Sequence, residues 1–542
     1  MTAGVGFGLR PHSLFASISS GGEAVPDVAE VELVIDRQGF RVDDRSANAP
    51  MIGGTIPGPL LRLREGQEAV IHVTNRLDEV TSLHWHGLLL PFEQDGVPGF
   101  SFEGIEPGET HTYRFPVRQA GSYWYHSHSG TQEQEGMYAP IIIDPAGEDP
   151  VAYDRDYSIL FSDWTDEDPM TVLRNLKGNG AYYNYWKRTL PGFVDGLFDD
   201  AGGTIRDRAM WGEMRMDPTD IADVTGATYS YLLNGKSVDA NWTGLFEPGE
   251  RVRLRLVNAA AMSFFDVRIP GLTMTVVQAD GQDVEPVRVD EIRMGVAETY
   301  DVIVEPQAGE VYTIFAQSMD RSGFARGTLS ERAGVEGPIP AMDPRPVRSM
   351  ADMPGMEDHA GHDMGAGMTD GEGHDMAEMD MEMDHAAMGH GTDTMGLRRL
   401  AYEDLQALEP NRDTRTPTRD VEFRLTGDME RYFWTLNGKK LSDSDPIRLT
   451  VGERVRLVMV NETMMDHPMH LHGVFMELQN GGHPAFAPRK HTVIVPPNQT
   501  VEAHLTYQDP GPWAFHCHLL FHMMTGMFAR FEVAPGTAAE TS

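Results

Sequence analysis

Hydrophobic and polar residues alternate with a period of two at three widely separated places: GQEAVIHVTN at 66–75, GERVRLRLVN at 249–258 and GERVRLVMVN at 452–461. That period belongs to a strand with one buried face, and the shared entry and the shared Asn exit mark three copies of one unit. Elsewhere, runs rich in Val, Ile, Thr and aromatics are broken by Gly and Pro, which predicts all-β sandwiches. A chain of 542 residues exceeds one hydrophobic core and fits three domains of ordinary size. The predicted organisation is a tail over 1–27, domains over 28–150, 151–340 and 401–535, a flexible segment over 341–400 between the last two, and a tail over 536–542.

The alternation stops completely between Met350 and Met395, where eleven methionines lie among His, Asp, Glu and Gly. Without apolar periodicity and with frequent glycine, this stretch cannot build a core and is expected to be disordered. Thioethers suit Cu(I) and imidazoles suit Cu(II), so it reads as a copper-collecting arm, the alternative being a solvated linker. No run approaches ~20 apolar residues, which excludes a spanning helix. The formal net charge of −38 argues against nucleic acid or an anionic membrane as partner and suits attraction of cations. The opening MTAGVGFGLRPHSLFASISSGG has no clear apolar leader core, and with a single cysteine no intrachain disulfide forms.

That cysteine, Cys517, lies in His516-Cys517-His518-Leu-Leu-Phe-His522-Met-Met-Thr-Gly-Met527. A thiolate with imidazoles and a weak thioether is the ligand set of one-electron copper sites, whereas hard cations take oxygens and structural zinc takes more thiolates. On a strand Cys517 faces one way and His516 and His518 the other, so one strand can serve two metal centres joined through its backbone. A buried free cysteine near unrelated histidines is the plain alternative.

Three further clusters supply partners: His84-Trp-His86, His126-Ser-His128 and His467-Pro-Met-His470-Leu-His472. Counted from the closing Asn75, Asn258 and Asn461, the same places hold His84 and His86, Val267 and Ile269, and His470 and His472. At the unit ends GSYWYHSHSGTQEQEGM and GPWAFHCHLLFHMMTGM superpose without a gap, with GEVYTIFAQ in the middle unit, so that Ser127 and Phe315 stand where Cys517 does. Only the third unit can build a thiolate site. Eight histidines remain, half in unit one and half in unit three, and suit a cluster of three metals at a shared face.

These motifs resemble those of the multicopper oxidases. Stretches such as LPFEQDGVPGFSFEGIEPGET, SDWTDEDP, MWGEMRMDPTD and GVAETYDVIVEP are similar to the copper-resistance protein A subfamily, over about residues 28–535. The resemblance implies three consecutive cupredoxin-like Greek-key domains and four coppers. It implies a type 1 copper on His467, Cys517 and His522 with Met527 axial, and a type 2 copper on His84 and His470. The type 3 pair would take His86, His126 and His518 on one ion and His128, His472 and His516 on the other. Asp95 resembles the acid near the type 2 copper and Glu133 or Glu135 could assist proton delivery; ordinary surface carboxylates are the alternative for all three. Some cuprous oxidases carry an acid directly after the second type 1 histidine; this chain has Met523.

The implied reaction is oxidation of Cu(I) to Cu(II) coupled to reduction of dioxygen to water, in copper resistance. A laccase-like phenol oxidase and a non-catalytic copper-sequestering protein are the alternatives. Implied too are a periplasmic location, other periplasmic copper-handling proteins as partners, and a monomer.

Overall fold

The computed structural model describes residues 16–17, 27–213, 217–348 and 396–536; the arm expected at 350–395 and most of both tails lie outside them. The chain folds mostly as strand, in three units of two sheets each. The first pairs the sheet built on Val28–Val42, Arg45–Ile52, Glu68–Asn75 and Thr110–Pro116 with one built on Leu61–Arg64, His84–His86, Gly121–His126 and Tyr138–Asp144. Ile71 and Val73 from one sheet meet Leu61, Trp85 and Tyr123 from the other in a common core. The second and third units repeat this arrangement with larger sheets.

The repeated strand plays one role in all three. Glu68–Asn75, Val252–Asn258 and Arg454–Asn461 each run parallel to the unit's opening strand and antiparallel to Thr110–Pro116, Thr299–Val304 and Thr500–Thr506 respectively. The closing asparagine explains the shared motif. Its side-chain amide donates to two loop carbonyls, Glu79 and Ile105 for Asn75, Ser263 and Met294 for Asn258, Met465 and Val495 for Asn461. Its oxygen accepts from the backbone N–H two residues on, at Leu77, Ala260 and Thr463. This buried amide launches each following strand from a fixed height above the core.

The middle unit departs from the spacing read off the sequence. The ladder partner of the carbonyl bonded to Asn461, Val495, is His467, six residues past the asparagine; for Asn258 the partner of Met294 is Phe265, seven past. One extra loop residue therefore moves the place of His470 from Val267 to Arg268, which lies opposite Phe315 as His470 lies opposite His516. The place of Cys517 falls on Ala316 and not on Phe315. Arg268 is buried, ion-paired with Glu291 at 3.0 Å and Asp343 at 2.7 Å, so an arginine and its acids stand where the outer units carry imidazoles. Val252–Asn258 is buried along its whole length, and Arg253 and Arg255, which alternation alone directs to solvent, reach Asp301 at 2.7 and 3.1 Å.

Two helical excursions interrupt the middle unit. Pro169–Gly178 starts where Asp168 accepts from the Met170 and Thr171 N–H groups ahead of Pro169, and buries Val172, Leu173 and Leu176. Leu190–Glu213 follows, broken at Asp200. Among the described residues no helix is long and apolar enough to cross a membrane.

Candidate metal centre

The thiol site forms where three elements of the third unit converge. Cys517 ends the strand Gly511–Cys517, His467 opens the neighbouring strand His467–Leu471, and His522 sits on the short helix Leu520–Thr525. Cys517 Sγ lies 3.6 Å from His467 Nδ1 and 3.7 Å from His522 Nδ1, and the two nitrogens are 3.1 Å apart. His522 Nε2 donates to the Asp223 carboxylate at 2.6 Å, so its Nδ1 carries a lone pair. His467 Nε2 meets Thr463 Oγ1 at 2.7 Å, whose own hydrogen is directed at Asn461 Oδ1 at 2.8 Å, which leaves His467 Nδ1 bare as well. Two lone pairs and a thiol sulfur at these distances repel unless a cation sits among them. Burial pushes the Cys517 thiol up, and a bound cation is what would deprotonate it. Met527 is fully buried beside this triangle: its N–H donates to His522 O, and its carbonyl accepts from the Cys517 N–H.

The eight other histidines meet at the face shared by units one and three. Donor atoms of His84, His470 and His472, of His84, His86 and His126, and of His128, His472 and His516 each lie within 4.8 Å of one another. The rings of His86, His126 and His518 lie 5.0–5.6 Å apart, centre to centre. His472 Nε2 and His516 Nε2 approach to 3.1 Å although each ring gives its Nδ1 hydrogen elsewhere, to Asp95 and to the Cys517 carbonyl. His84 Nε2, His86 Nδ1, His126 Nε2, His470 Nε2 and His518 Nε2 are buried with no hydrogen-bond partner. So many orphaned nitrogens aimed at one space are costly as protein alone and fit a cluster of metal ions. Burial, with repulsion from neighbouring imidazoles, holds His86, His470, His472 and His516 below their ordinary pKa, His516 at about 3, in the neutral form that ligates.

The candidate carboxylates separate by position. Asp95 is buried; its Oδ2 accepts from His472 Nδ1 at 2.9 Å and its carbonyl from His84 Nδ1 at 2.7 Å, so one residue orients a histidine from each unit. Glu133 Oε2 lies 3.0 Å from His126 Nδ1, while Oε1 faces His518 Nδ1 at 3.8 Å without a hydrogen bond. Burial, then the Asp163 charge, pushes the Glu133 carboxyl well up. It lines a small cavity with His126, His128, His516, His518 and Met523. The structure does not bring Glu135 to the histidines. It pairs with Arg37 at 2.9 Å, because positions two apart on the turn Gln132–Glu135 point to different sides. Met523, next to His522 in sequence, likewise turns to that cavity.

Asp223, His491 and Thr492 escaped the sequence reading. Asp223 reaches His522 across 299 positions, and His491 touches His86 across 405 at 3.2 Å, with no spacing signal in either case.

Multicopper oxidase family models match residues 35–148, 155–333 and 414–537. Copper resistance protein A of Escherichia coli is 46% identical over 93% of this chain and 92% of its own. Multicopper oxidase MmcO of Mycobacterium tuberculosis is 34% identical over 89% of this chain and 82% of its own. Among solved structures, Fet3p, a multicopper oxidase that functions in iron import, shares the fold with a TM-score of 0.68 at 19% identity, covering 93% of this chain and 90% of that one. The double-sheet units are therefore cupredoxin-like domains, with a fused thiol site and imidazole cluster in the outer pair. With ligand-type residues, fold and sequence in agreement along nearly its whole described length, the chain belongs to the multicopper oxidase family.

Proposed function

We propose that this chain oxidises Cu(I) to Cu(II) and delivers the electrons to dioxygen, which becomes water, in the service of copper resistance. The observation that carries the reading is the strand Gly511–Cys517, whose end places a thiol in one triangle of donors and, through the adjoining residues His516 and His518, two imidazoles in the other cluster. An electron received at Cys517 has a covalent backbone route to the cluster.

His467, Cys517 and His522 would hold the type 1 copper with Met527 as a thioether partner, His84 and His470 the type 2 copper, and the two trios His86, His126, His518 and His128, His472, His516 the type 3 pair. Bound there, copper supplies one-electron chemistry at the first site and dioxygen reduction at the second. The chain's own residues do the rest. Buried Asp223 accepts from His522 Nε2 and fixes the ring. Buried Met464 and Met465 precede His467, and Met262 Sδ lies 3.4 Å from the Phe521 N–H, so soft thioethers surround the entry site. Glu133, 3.0 Å from His126 and lining the small cavity with His518, is placed to relay a proton to the cluster. Asp95 keeps His84 and His472 oriented. A periplasmic location follows from the subfamily resemblance.

Oxygen uptake by the copper-loaded protein tests this directly. Uptake driven by Cu(I), with a much lower rate from a simple phenol, supports the reading. A phenol-driven rate that exceeds the cuprous one replaces it with a laccase-like activity, and no uptake with either donor overturns it.

A further inference from the structure

Seven of the eight cluster histidines present Nε2 to the shared space; His86 alone presents Nδ1. A neutral imidazole carries one hydrogen, so a lone pair on His86 Nδ1 requires that hydrogen on Nε2, and a buried N–H needs an acceptor. His86 Nε2 has two neighbours: Thr492 Oγ1 at 3.2 Å and His491 Nδ1 at 3.2 Å. Thr492 Oγ1 also lies 3.1 Å from His491 Nδ1 and 3.3 Å from His470 Nδ1. The His470 Nδ1 hydrogen goes to the His491 carbonyl at 2.8 Å. In one hydrogen pattern Thr492 Oγ1 accepts from His86 Nε2 and donates to His491 Nδ1, which places the His491 hydrogen on Nε2, a buried atom without a hydrogen-bond partner.

The His491–Thr492 pair is itself clamped by the middle unit. Asp280 Oδ2 accepts from the backbone N–H of both residues, each at 3.1 Å, and meets Lys490 Nζ at 3.2 Å. Glu298 takes the other side of Lys490 at 2.9 Å, and all three charged side chains are fully buried. On its open side the His491 ring lies against bare backbone: a Cβ on Gly87 would stand 2.4 Å from His491 Cδ2. First-unit His86, third-unit Thr492 and second-unit Asp280 thus form one connected chain.

We propose that Thr492 and His491, anchored by Asp280, are positioning residues that lock His86 in the tautomer exposing Nδ1, and that this is how the unit without cluster histidines takes part in the copper cluster. The inference rests on the assignment of His86 to the type 3 pair. Groups behind metal-bound histidines fix ring orientation and tautomer, and their loss typically costs 10–100-fold in metal affinity.

The test compares copper-loaded wild type, Thr492→Val and Thr492→Ser. The readouts are the near-ultraviolet absorption of the coupled copper pair, the blue thiolate band, and copper retained against a chelator. Valine keeps the shape of threonine without its hydroxyl; serine keeps the hydroxyl. Thr492→Val is expected to lose most of the pair absorption and to release cluster copper about tenfold more readily, with the blue band unchanged, while Thr492→Ser behaves as wild type. Unchanged pair absorption in Thr492→Val, or equal loss in Thr492→Ser, overturns the positioning role. A wild type with a blue band but no coupled pair overturns the assignment of His86 along with it, and a wild type with neither overturns the copper reading as a whole. Should Thr492→Val not fold, His491→Leu and His491→Asn carry the same test: asparagine can place an amide oxygen where Nδ1 stands and retains the pair, leucine loses it, and equal behaviour of the two overturns the proposal.

Discussion

Replacing Asp223 with asparagine removes one negative charge from the far edge of His522, the proposed type 1 ligand, and nearly nothing else. The carboxylate accepts from His522 Nε2 at 2.6 Å and from the Tyr432 hydroxyl at 3.0 Å, both in buried surroundings. Burial, then the charge on Asp223, raises the Tyr432 hydroxyl's pKa. A hydrogen bond to a charged group contributes roughly 1.5–3 kcal/mol, and this one strengthens as the imidazole drains electron density toward an oxidised ion. The oxidised site is therefore favoured by at most that amount. At ~2.3 kcal/mol per 100 mV, the type 1 potential of Asp223→Asn should rise, by no more than about 65–130 mV. Redox titration of the blue band reads the shift, and Tyr432→Phe, which removes only a neutral donor, should move it by far less. A shift below about 20 mV, or a downward one, refutes the claim that Asp223 tunes this site.

Cys517→Ser should abolish the blue band and cuprous oxidation while copper on His84 and His470 persists, checked by absorption and electron paramagnetic resonance; blue colour in that variant sinks the thiolate assignment. The middle unit, with Arg268 and its acids where imidazoles would stand, should bind no catalytic copper, and arm-deleted protein should lose no copper when Arg268 is replaced. If the thioethers of 350–395 collect Cu(I), deleting that segment should slow Cu(I) oxidation at low copper and leave phenol oxidation unchanged; equal loss of both activities ends the copper-collecting reading. Copper-free protein should lose stability in acid. The folded pKa of His516 is about 3 against ~6.5 unfolded, so the unfolded state binds more protons below pH ~6.5 and stability falls with pH there. His516 alone should cost about 2.3 kcal/mol between pH 6.5 and 4.5, visible as a falling unfolding midpoint that bound copper suppresses.

The ligand-type residues were legible because each pair sits at i, i+2 on a strand or across its end, a pattern complete within a dozen residues. The repeat was legible for a related reason: Asn75, Asn258 and Asn461 do the same local job in each unit. Counting outward from those asparagines worked only where loops kept their length, so one extra residue in Ala259–Phe264 displaced the middle-unit correspondence from Arg268 to Val267. Glu133 and Glu135 could not be separated without the phase of the turn that carries them. Asp223, His491 and Thr492 are set by contacts between units, and nothing in their own neighbourhoods marks them.

The positions missed share a function that the ligands cannot perform for themselves. A donor set states which ion binds; it leaves open which nitrogen of each ring faces the ion and how the ring is held when the ion changes charge. Those choices are made by Thr463 and Asp223 at the thiolate site and by Asp95, Glu133, His491 and Thr492 at the cluster. Two of the anchors, Asp223 and Asp280, come from the middle unit, one behind each centre. A unit that contributes no proposed copper ligand therefore has a physical reason to remain between the two that do: it holds one acid behind the electron entry and another behind the site of dioxygen reduction.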